Sequence, residues 1–173
     1  MPIATPSQTI GPFWHLIDDP EWADLTRFGA VGEQIVLTGI VTDGLCQPVT
    51  DAAIEVWQTS PEATGTFSGY GRCRTDLTGG FRFKTLKPGP VRGLGNVLQA
   101  PHVAIRIFAR GLLSGLATRL YFEHEPLNQT DPVLSLINDD ERRRTLMAQQ
   151  VSTDVWQLDI RLQGDGETVF MEI

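Results

Sequence analysis

The sequence predicts an all-β protein, an antiparallel β-sandwich that carries an extended N-terminal arm and a short helical insertion. Three observations predict this fold class. Several segments alternate apolar and polar residues with a period of two, as half-buried strands do. Turn signals recur about every 8–12 residues, which is typical of sandwiches. The chain of 173 residues also contains 17 glycines and 11 prolines, which favours many turns.

Residues 1–33 are predicted to form the extended arm. Pro6 and Pro12 push the residues before them out of the helical region of backbone conformation. The arm is also rich in large apolar side chains, because it contains Phe13, Trp14, Leu16, Ile17 and Trp22. An arm of this composition must pack either on its own domain or on a partner.

Residues 34–173 are predicted to form the sandwich as a single domain. Strands are expected at 34–43, 53–58, 81–85, 102–110, 116–123 and 155–163, with a terminal hairpin closed by residues 167–172. The alternation is clearest at 81–85, where Phe81 and Phe83 alternate with basic residues. The segments 59–71 and 87–99 are rich in glycine, proline, serine or threonine and are predicted to be loops.

An insertion at 126–150 contains the helical signals of the sequence. Asp131 precedes a proline and can cap a helical turn. Asn138 and Glu141 have the spacing of a capping box, which predicts a short helix that carries Arg142 and its two neighbouring arginines.

Composition excludes several classes of function. With 14 basic and 21 acidic residues the net charge is −7 and the pI is near 4.9, so the surface is unsuited to nucleic acids or anionic membranes. Apolar runs are too short for a membrane span. The start of the chain does not resemble a signal peptide, and Cys46 and Cys73 have no CxxC spacing. We therefore expect a cytoplasmic protein with reduced thiols.

The common catalytic motifs are missing, including GxSxG, HExxH, Walker loops, GxGxxG and CxxC. Two metal ligands on one strand are easiest to place at positions i and i+2, where side chains share a face. The ligand candidates show no such pair; they are His15, His102, His124, Tyr70 and Tyr121. The residues by themselves therefore do not predict a complete metal site.

Several segments, taken in order, carry a resemblance to a known family. They are 54–58 (IEVWQ), 71–72 (GR), 81–90 (FRFKTLKPGP), 100–105 (APHVAI) and 118–122 (TRLYF). The ordered set resembles the intradiol ring-cleavage dioxygenases. The arm segment 5–13 (TPSQTIGPF), together with 108–111 (FARG) and 159–170 (DIRLQGDGETVF), is similar to the α subunit of family members that cleave protocatechuate.

The resemblance implies that this chain does not bind iron itself. The family's catalytic chain holds Fe(III) with two tyrosines and two histidines. Where one tyrosine follows the Lys-Pro-Gly-Pro motif this sequence has Val91, and the His-x-His pair is reduced to His102 and Ala104. Tyr70 does not fall at the position of the second tyrosine. The metal positions Val91, His102 and Ala104 are therefore vestigial, and the resemblance implies that a homologous β subunit carries the Fe(III).

The same resemblance implies a function and a set of substrate contacts. The arm would pack on the β subunit in a large hetero-oligomer of α/β pairs, where protocatechuate and O2 give 3-carboxy-cis,cis-muconate in the β-ketoadipate route of aromatic catabolism. The α subunit would be inactive alone and would hold no catalytic residue of its own. Carried over residue by residue, the substrate-binding positions are Thr9, Gly11, Pro12 and Arg119.

Alternatives stay open at this point. The chain could be the α subunit of an enzyme for another 4-substituted catechol, such as sulfocatechol. It could also be a stand-alone transthyretin-like module that binds a small aromatic ligand, although the apolar arm speaks against this. Arg119 could form an ordinary cross-strand charge pair, and Thr9 could serve only the backbone of the arm. Either His15 or His102 could border the pocket or be purely structural.

Overall fold

The computed structural model describes residues 9–11, 13–16 and 18–172. Pro12, one of the predicted substrate contacts, lies outside the described residues. The strands are β1 (Gln34–Thr42), β2 (Ala53–Trp57), β3 (Tyr70–Arg74), β4 (Gly80–Leu86), β5 (Val91–Arg92), β6 (Leu98–Gln99), β7 (His102–Phe108), β8 (Leu116–Phe122), β9 (Met147–Ser152), β10 (Val155–Gln157) and β11 (Ile160–Arg161). Helix α1 spans Asp140–Arg144, and short 3₁₀ turns lie at Trp14–Leu16, Pro20–Ala23, Leu94–Asn96, Pro126–Gln129 and Leu134–Leu136.

Nine of the described strands form one continuous sheet that folds over into two layers. The order is β11-β1-β10-β9-β8-β7-β2-β3, and β4 lies on the other side of β1. Most pairings are antiparallel, while β1 runs parallel to β10 and β11, and β8 parallel to β9. The predicted all-β sandwich is confirmed. Among the residues that the structure describes, no helix is long and apolar enough to cross a membrane.

Period-two alternation builds the core between the two layers. In β7, Val103, Ile105 and Ile107 are buried inside, whereas His102 and Ala104 lie half-buried on the outer face. Burial of each large apolar side chain contributes roughly 1.5–3 kcal/mol. The alternation therefore decides which side chains of β7 are available for a site, namely those on the outer face.

Two segments cover the outer face of the layer formed by β2, β3, β7 and β8. At one end, the insertion packs Leu134 and Leu146 against Tyr121 and Ala100 in a second, smaller core. At the other end, the arm crosses the sheet and buries Trp14. The outer face thus has one end covered by the insertion and one end covered by the arm.

The second half of the arm packs on its own domain. Leu25 lies in the main core, and its N–H donates to the carbonyl of Lys84 at 2.9 Å. The guanidinium of Arg72 lies 4.3 Å from the ring centre of Trp22. Contact of the first half of the arm with a partner subunit remains a prediction.

The loop after β4 is anchored by a lysine between two aromatic rings. The Nζ atom of Lys87 lies 3.4 Å from the ring centre of Phe122 and 3.5 Å from that of Trp156. Burial lowers the pKa of Lys87 to about 8, while the two π faces favour the ammonium form. The contact holds the start of the segment that leads to β5.

Several predicted elements differ from the structure. The predicted strand 155–163 is broken into β10 and β11, because the Asp159 carboxylate accepts the N–H of Ile40 at 3.0 Å and interrupts the ladder. The predicted terminal strand 167–172 is wrong, since pairing there is limited to a single bridge between Met171 and Ala117.

Other differences add structure where loops or insertions were expected. Strand β3 begins at Tyr70, inside the predicted loop 59–71, and β5 and β6 form a short hairpin inside 87–99. Strand β9 lies in the insertion, where weak alternation conceals it. The predicted short helix forms as α1, but its cap is Asp139, whose carboxylate accepts the N–H groups of Glu141 and Arg142.

Candidate functional site

The strand register brings the predicted site residues onto the outer face described above. Ala104 lies opposite both Trp57 and Arg119, and His102 lies opposite Tyr121. These residues occupy the end covered by the insertion. Thr9 and Gly11 belong to the arm and lie at the other end.

At the insertion end, polar side chains form what we call the closed network, made of Gln99, His102, Arg119, Tyr121 and Asp131. Tyr121 is fully buried, and its hydroxyl lies 3.2 Å from Oδ1 of Asp131 and 3.2 Å from Nη1 of Arg119. Nη1 of Arg119 also donates to Oε1 of Gln99 at 3.0 Å. Burial raises the pKa of Tyr121 above its ordinary value, so the phenol stays neutral and donates to Asp131.

Asp131 is the centre of the closed network. Its carboxylate is completely buried and accepts the N–H groups of Val133 at 2.8 Å, Leu134 at 2.9 Å and Ala100 at 2.8 Å, besides the Tyr121 hydroxyl. Asp131 therefore bonds the N–H groups at the start of a 3₁₀ turn, although that turn spans Leu134–Leu136 and its cap position is Val133, not Asp131 as predicted. Because Ala100 lies just before β7, the same carboxylate also ties the insertion to the sheet.

His102 contributes one imidazole that is already engaged. Its Nδ1 atom lies 2.7 Å from the carbonyl oxygen of Ala100, so this nitrogen carries the hydrogen in the tautomer that satisfies the contact. Burial lowers the pKa of His102, and the nearby Arg119 charge adds to this effect, so the ring is neutral.

The donor set around His102 does not fit a ferric ion. Ala104 and Val91 present aliphatic groups, which leaves one imidazole nitrogen where several anionic or nitrogen donors are needed. Among the residues that the structure describes, no three His, Cys, Asp or Glu side chains come together in a way that could hold a metal.

At the arm end lies an open cavity of about 480 Å³, which we call the arm cavity. Its walls include Thr9, Gly11 and Trp14 from the arm and Asp51, Arg74 and Arg110 from the sheet. Gly11 has φ = +79°, a left-handed conformation that favours glycine. The arm can turn into the cavity at this position because the residue is glycine.

The charges of the arm cavity come from three side chains. Arg110 donates from Nε to the carboxylate of Asp51, which lies across from it where β2 begins and β7 ends. Arg74 makes no ion pair with any residue in the described part of the chain. The three side chains thus carry a net positive charge within a chain whose net charge is −7.

The predicted substrate contacts therefore lie at both ends of the outer face. Thr9 and Gly11 line the arm cavity, and His15 does too, whereas Arg119 belongs to the closed network. His124 is exposed and lies beside Glu123. Sequence reasoning did not single out Arg110 or Arg74, although Arg110 lies within the FARG segment that carries the family resemblance.

The cysteines take no part in either place. Cys46 and Cys73 are both free thiols. Burial raises the pKa of the Cys73 thiol to about 12, so it is not a nucleophile near neutral pH.

Comparison with known proteins decides the family. A dioxygenase family model matches residues 19–164, which is most of the chain. The chain belongs to the intradiol dioxygenase family.

Relatives within the family are similar over nearly the whole chain. The protocatechuate 3,4-dioxygenase α chain of Pseudomonas putida is 38% identical, with 97% of this chain and 96% of that protein covered. The α chain from Burkholderia cepacia is 34% identical, with 98% and 97% covered. The β chain from Burkholderia cepacia is 32% identical, with 94% and 77% covered.

Solved structures share the fold at lower identity. The dioxygenase domain of a carbohydrate-binding fusion protein from Streptomyces sp. SirexAA-E superposes with a TM-score of 0.65 at 24% identity, with 92% of this chain and 98% of that chain covered. Hydroxyquinol 1,2-dioxygenase from Pseudomonas putida DLL-E4 gives 0.63 at 19% identity, with 80% and 58% covered. These likenesses establish the fold.

Proposed function

We propose that this chain is the α subunit of a protocatechuate 3,4-dioxygenase, which with O2 converts protocatechuate to 3-carboxy-cis,cis-muconate. The observation that carries the proposal is 38% identity to such an α chain across nearly the full length of both proteins. The chain is an enzyme subunit that works only together with an iron-bearing partner.

The side chains at the vestigial metal position support the assignment of the iron to the partner chain. Val91, Ala104 and an engaged His102 cannot supply the ligands of Fe(III). A β chain relative is 32% identical over 94% of this chain, which supports a partner chain that is homologous to this one. The partner β subunit holds the Fe(III), and the two chains form a hetero-oligomer.

The arm cavity is the part of this chain that meets the substrate. An arm with glycine at position 11 and proline at position 12 can approach a flat aromatic ring closely. Thr9 adds a hydroxyl, and Arg110 adds a guanidinium that can donate to an anionic substituent. In this role the chain binds and orients the catechol and excludes water from it.

Exposed apolar side chains around the arm cavity support a covering partner. Phe13, Leu16 and Leu113 are 71%, 72% and 87% exposed. Clustered apolar groups of this size are typical of an interaction surface. A β subunit seated here would cover them and close the cavity from the other side.

Co-expression with a homologous β chain tests the proposal. We expect the purified chain alone to show neither the colour of iron–tyrosinate nor oxygen uptake with protocatechuate, and the α/β complex to show both. The β chain expressed alone is the control. Oxygen uptake by this chain alone, or tyrosine-ligated iron in it at one ion per chain, would contradict the assignment.

Two further measurements separate the alternatives. Comparing kcat/KM of the complex for protocatechuate and for 4-sulfocatechol decides which acidic catechol is preferred. Size-exclusion chromatography of the chain with and without the β chain distinguishes a subunit from a stand-alone binding module, because the module forms no complex.

A further inference from the structure

We propose that Arg74 is a specificity-determining residue, whose guanidinium selects catechols that carry an anionic ring substituent. This inference rests on the proposed function and adds the feature of the substrate that this chain recognises. The substituent is an oxyacid group, either carboxylate or sulfonate, because both present oxygens that accept from a guanidinium.

The position of Arg74 follows from the strand register. Arg74 ends β3 and lies directly opposite Ala53 of β2, and Ala53 in turn lies opposite Phe108 of β7. Asp51 lies in the turn before β2 and pairs with Arg110, which follows β7. All three side chains line the arm cavity, so Arg74 and this ion pair reach it from neighbouring strands.

The charge balance distinguishes the two arginines. Arg110 is held by the Asp51 carboxylate, which offsets much of its charge. Arg74 has no carboxylate partner among the residues that the structure describes. A positive charge without a partner attracts an anion more strongly than one that already has a carboxylate beside it. Within the arm cavity, Arg74 therefore provides the attraction, and Arg110 remains oriented by Asp51.

The size and chemistry of the arm cavity suit a small aromatic acid. A volume of about 480 Å³ lies within the range of roughly 300–1,000 Å³ that small-molecule sites occupy. Trp14 provides an aromatic surface and Thr9 a hydroxyl. A neutral catechol would use the same walls but would gain nothing from Arg74.

Arg74 also borders two open grooves beside β3, which provides a matched control. Arg82 lines one of those grooves but not the arm cavity. Loss of Arg82 removes a positive charge of the same kind nearby, yet leaves the arm cavity intact. An effect of surface charge in general will therefore appear when either Arg74 or Arg82 is replaced.

The test measures KM and kcat of the α/β complex for protocatechuate and for the neutral 4-methylcatechol. We expect R74A to raise KM for protocatechuate about 5-fold, with KM for 4-methylcatechol changed less than about 2-fold, since an exposed charge contact is worth a modest amount. R74K should be intermediate and R82A should match the unaltered complex. Added salt should shrink the effect of R74A because it screens the charge.

Other results would contradict either the role of Arg74 or the proposed function. An unchanged KM for protocatechuate in R74A, or an equal rise for both substrates, overturns the role of Arg74 while the proposed function stands. If the unaltered complex cleaves neither catechol, the proposed function fails, and the role of Arg74 fails with it. Thermal unfolding checks that each variant is folded, and R74Q replaces R74A if the alanine variant does not assemble.

Discussion

The two ends of the outer sheet face satisfy their polar groups in opposite ways. In the closed network every named side chain finds a partner within the chain, and the Asp131 carboxylate alone accepts four donors. In the arm cavity, Arg110 has a side chain that is 79% exposed. Buried side chains whose partners all lie within the chain are unavailable to a ligand, whereas Arg74 makes no ion pair among the described residues and Arg110 stays exposed beside Asp51. We therefore expect a ligand to bind at the arm end, and the closed network to be structural.

Arg119 and Arg110 illustrate the same difference with one residue type. Arg119 donates to a buried tyrosine and to Gln99, so its guanidinium ties β8 to β6. Arg110 is paired with Asp51 at the rim of an open cavity. The surroundings of a guanidinium, more than its presence, decide whether it can reach a substrate.

Removing Asp131, the centre of the closed network, should have the greatest effect on the stability of the chain. We expect Asp131→Ala to lower the free energy of unfolding by about 3 kcal/mol, because it leaves several buried N–H donors and the Tyr121 hydroxyl without a partner. Urea denaturation of the chain measures the loss.

Asp139→Ala is the matched control for this change. Asp139 also accepts two backbone N–H groups, but it is exposed at the start of α1, so we expect a loss of only about 1 kcal/mol. Equal losses in the two variants would show that the closed network is no more than an ordinary helix cap.

The next test compares the two arginines in the α/β complex. We expect Arg110→Ala to raise KM for protocatechuate about 5-fold at an unchanged unfolding temperature, since the side chain is exposed at the cavity. Arg119→Ala should lower the unfolding temperature, because Tyr121 and Gln99 lose a donor. Iron content should stay unchanged in both.

The opposite result for the two arginines would support the contact between Arg119 and the substrate that the sequence predicts. If Arg119→Ala impairs ring cleavage at an unchanged unfolding temperature, while Arg110→Ala changes nothing, then Arg119 faces the substrate. The arm cavity would then not be the wall of the pocket.

The effect of His102 on the pH dependence of stability should be the weakest of these. Burial lowers the pKa of His102 below 6.5, so the unfolded chain takes up a proton at a higher pH than the folded chain. Stability from His102 is therefore present above pH 6.5 and is lost as the pH falls through the folded-state pKa. We expect His102→Gln to flatten the fall in unfolding temperature between pH 7 and pH 5, and an identical fall in both proteins would contradict a buried neutral imidazole.

The elements that could be predicted from the sequence are those with strong local patterns. Alternation at Phe81 and Phe83 and along β7 identified β4 and β7 as strands, because one buried face imposes a period of two. The strands that escaped prediction are β3, β5, β6 and β9, which lie in segments expected to be loops or an insertion and which lack a clear alternation of apolar and polar residues. The break at Asp159 depends on Ile40, which lies far away in the sequence.

The sequence by itself determined the family, the sandwich and the missing ligands at Val91 and Ala104, because these depend on the type of residue at each position of an ordered motif. Tertiary structure alone decided which guanidinium lies beside the arm. Arg119 and Arg110 are close in the chain, but Arg119 is bonded to Gln99 and Tyr121 while Arg110 stays exposed in the open arm cavity. The availability of a charged group depends on burial and on its hydrogen-bond partners, which distant segments provide.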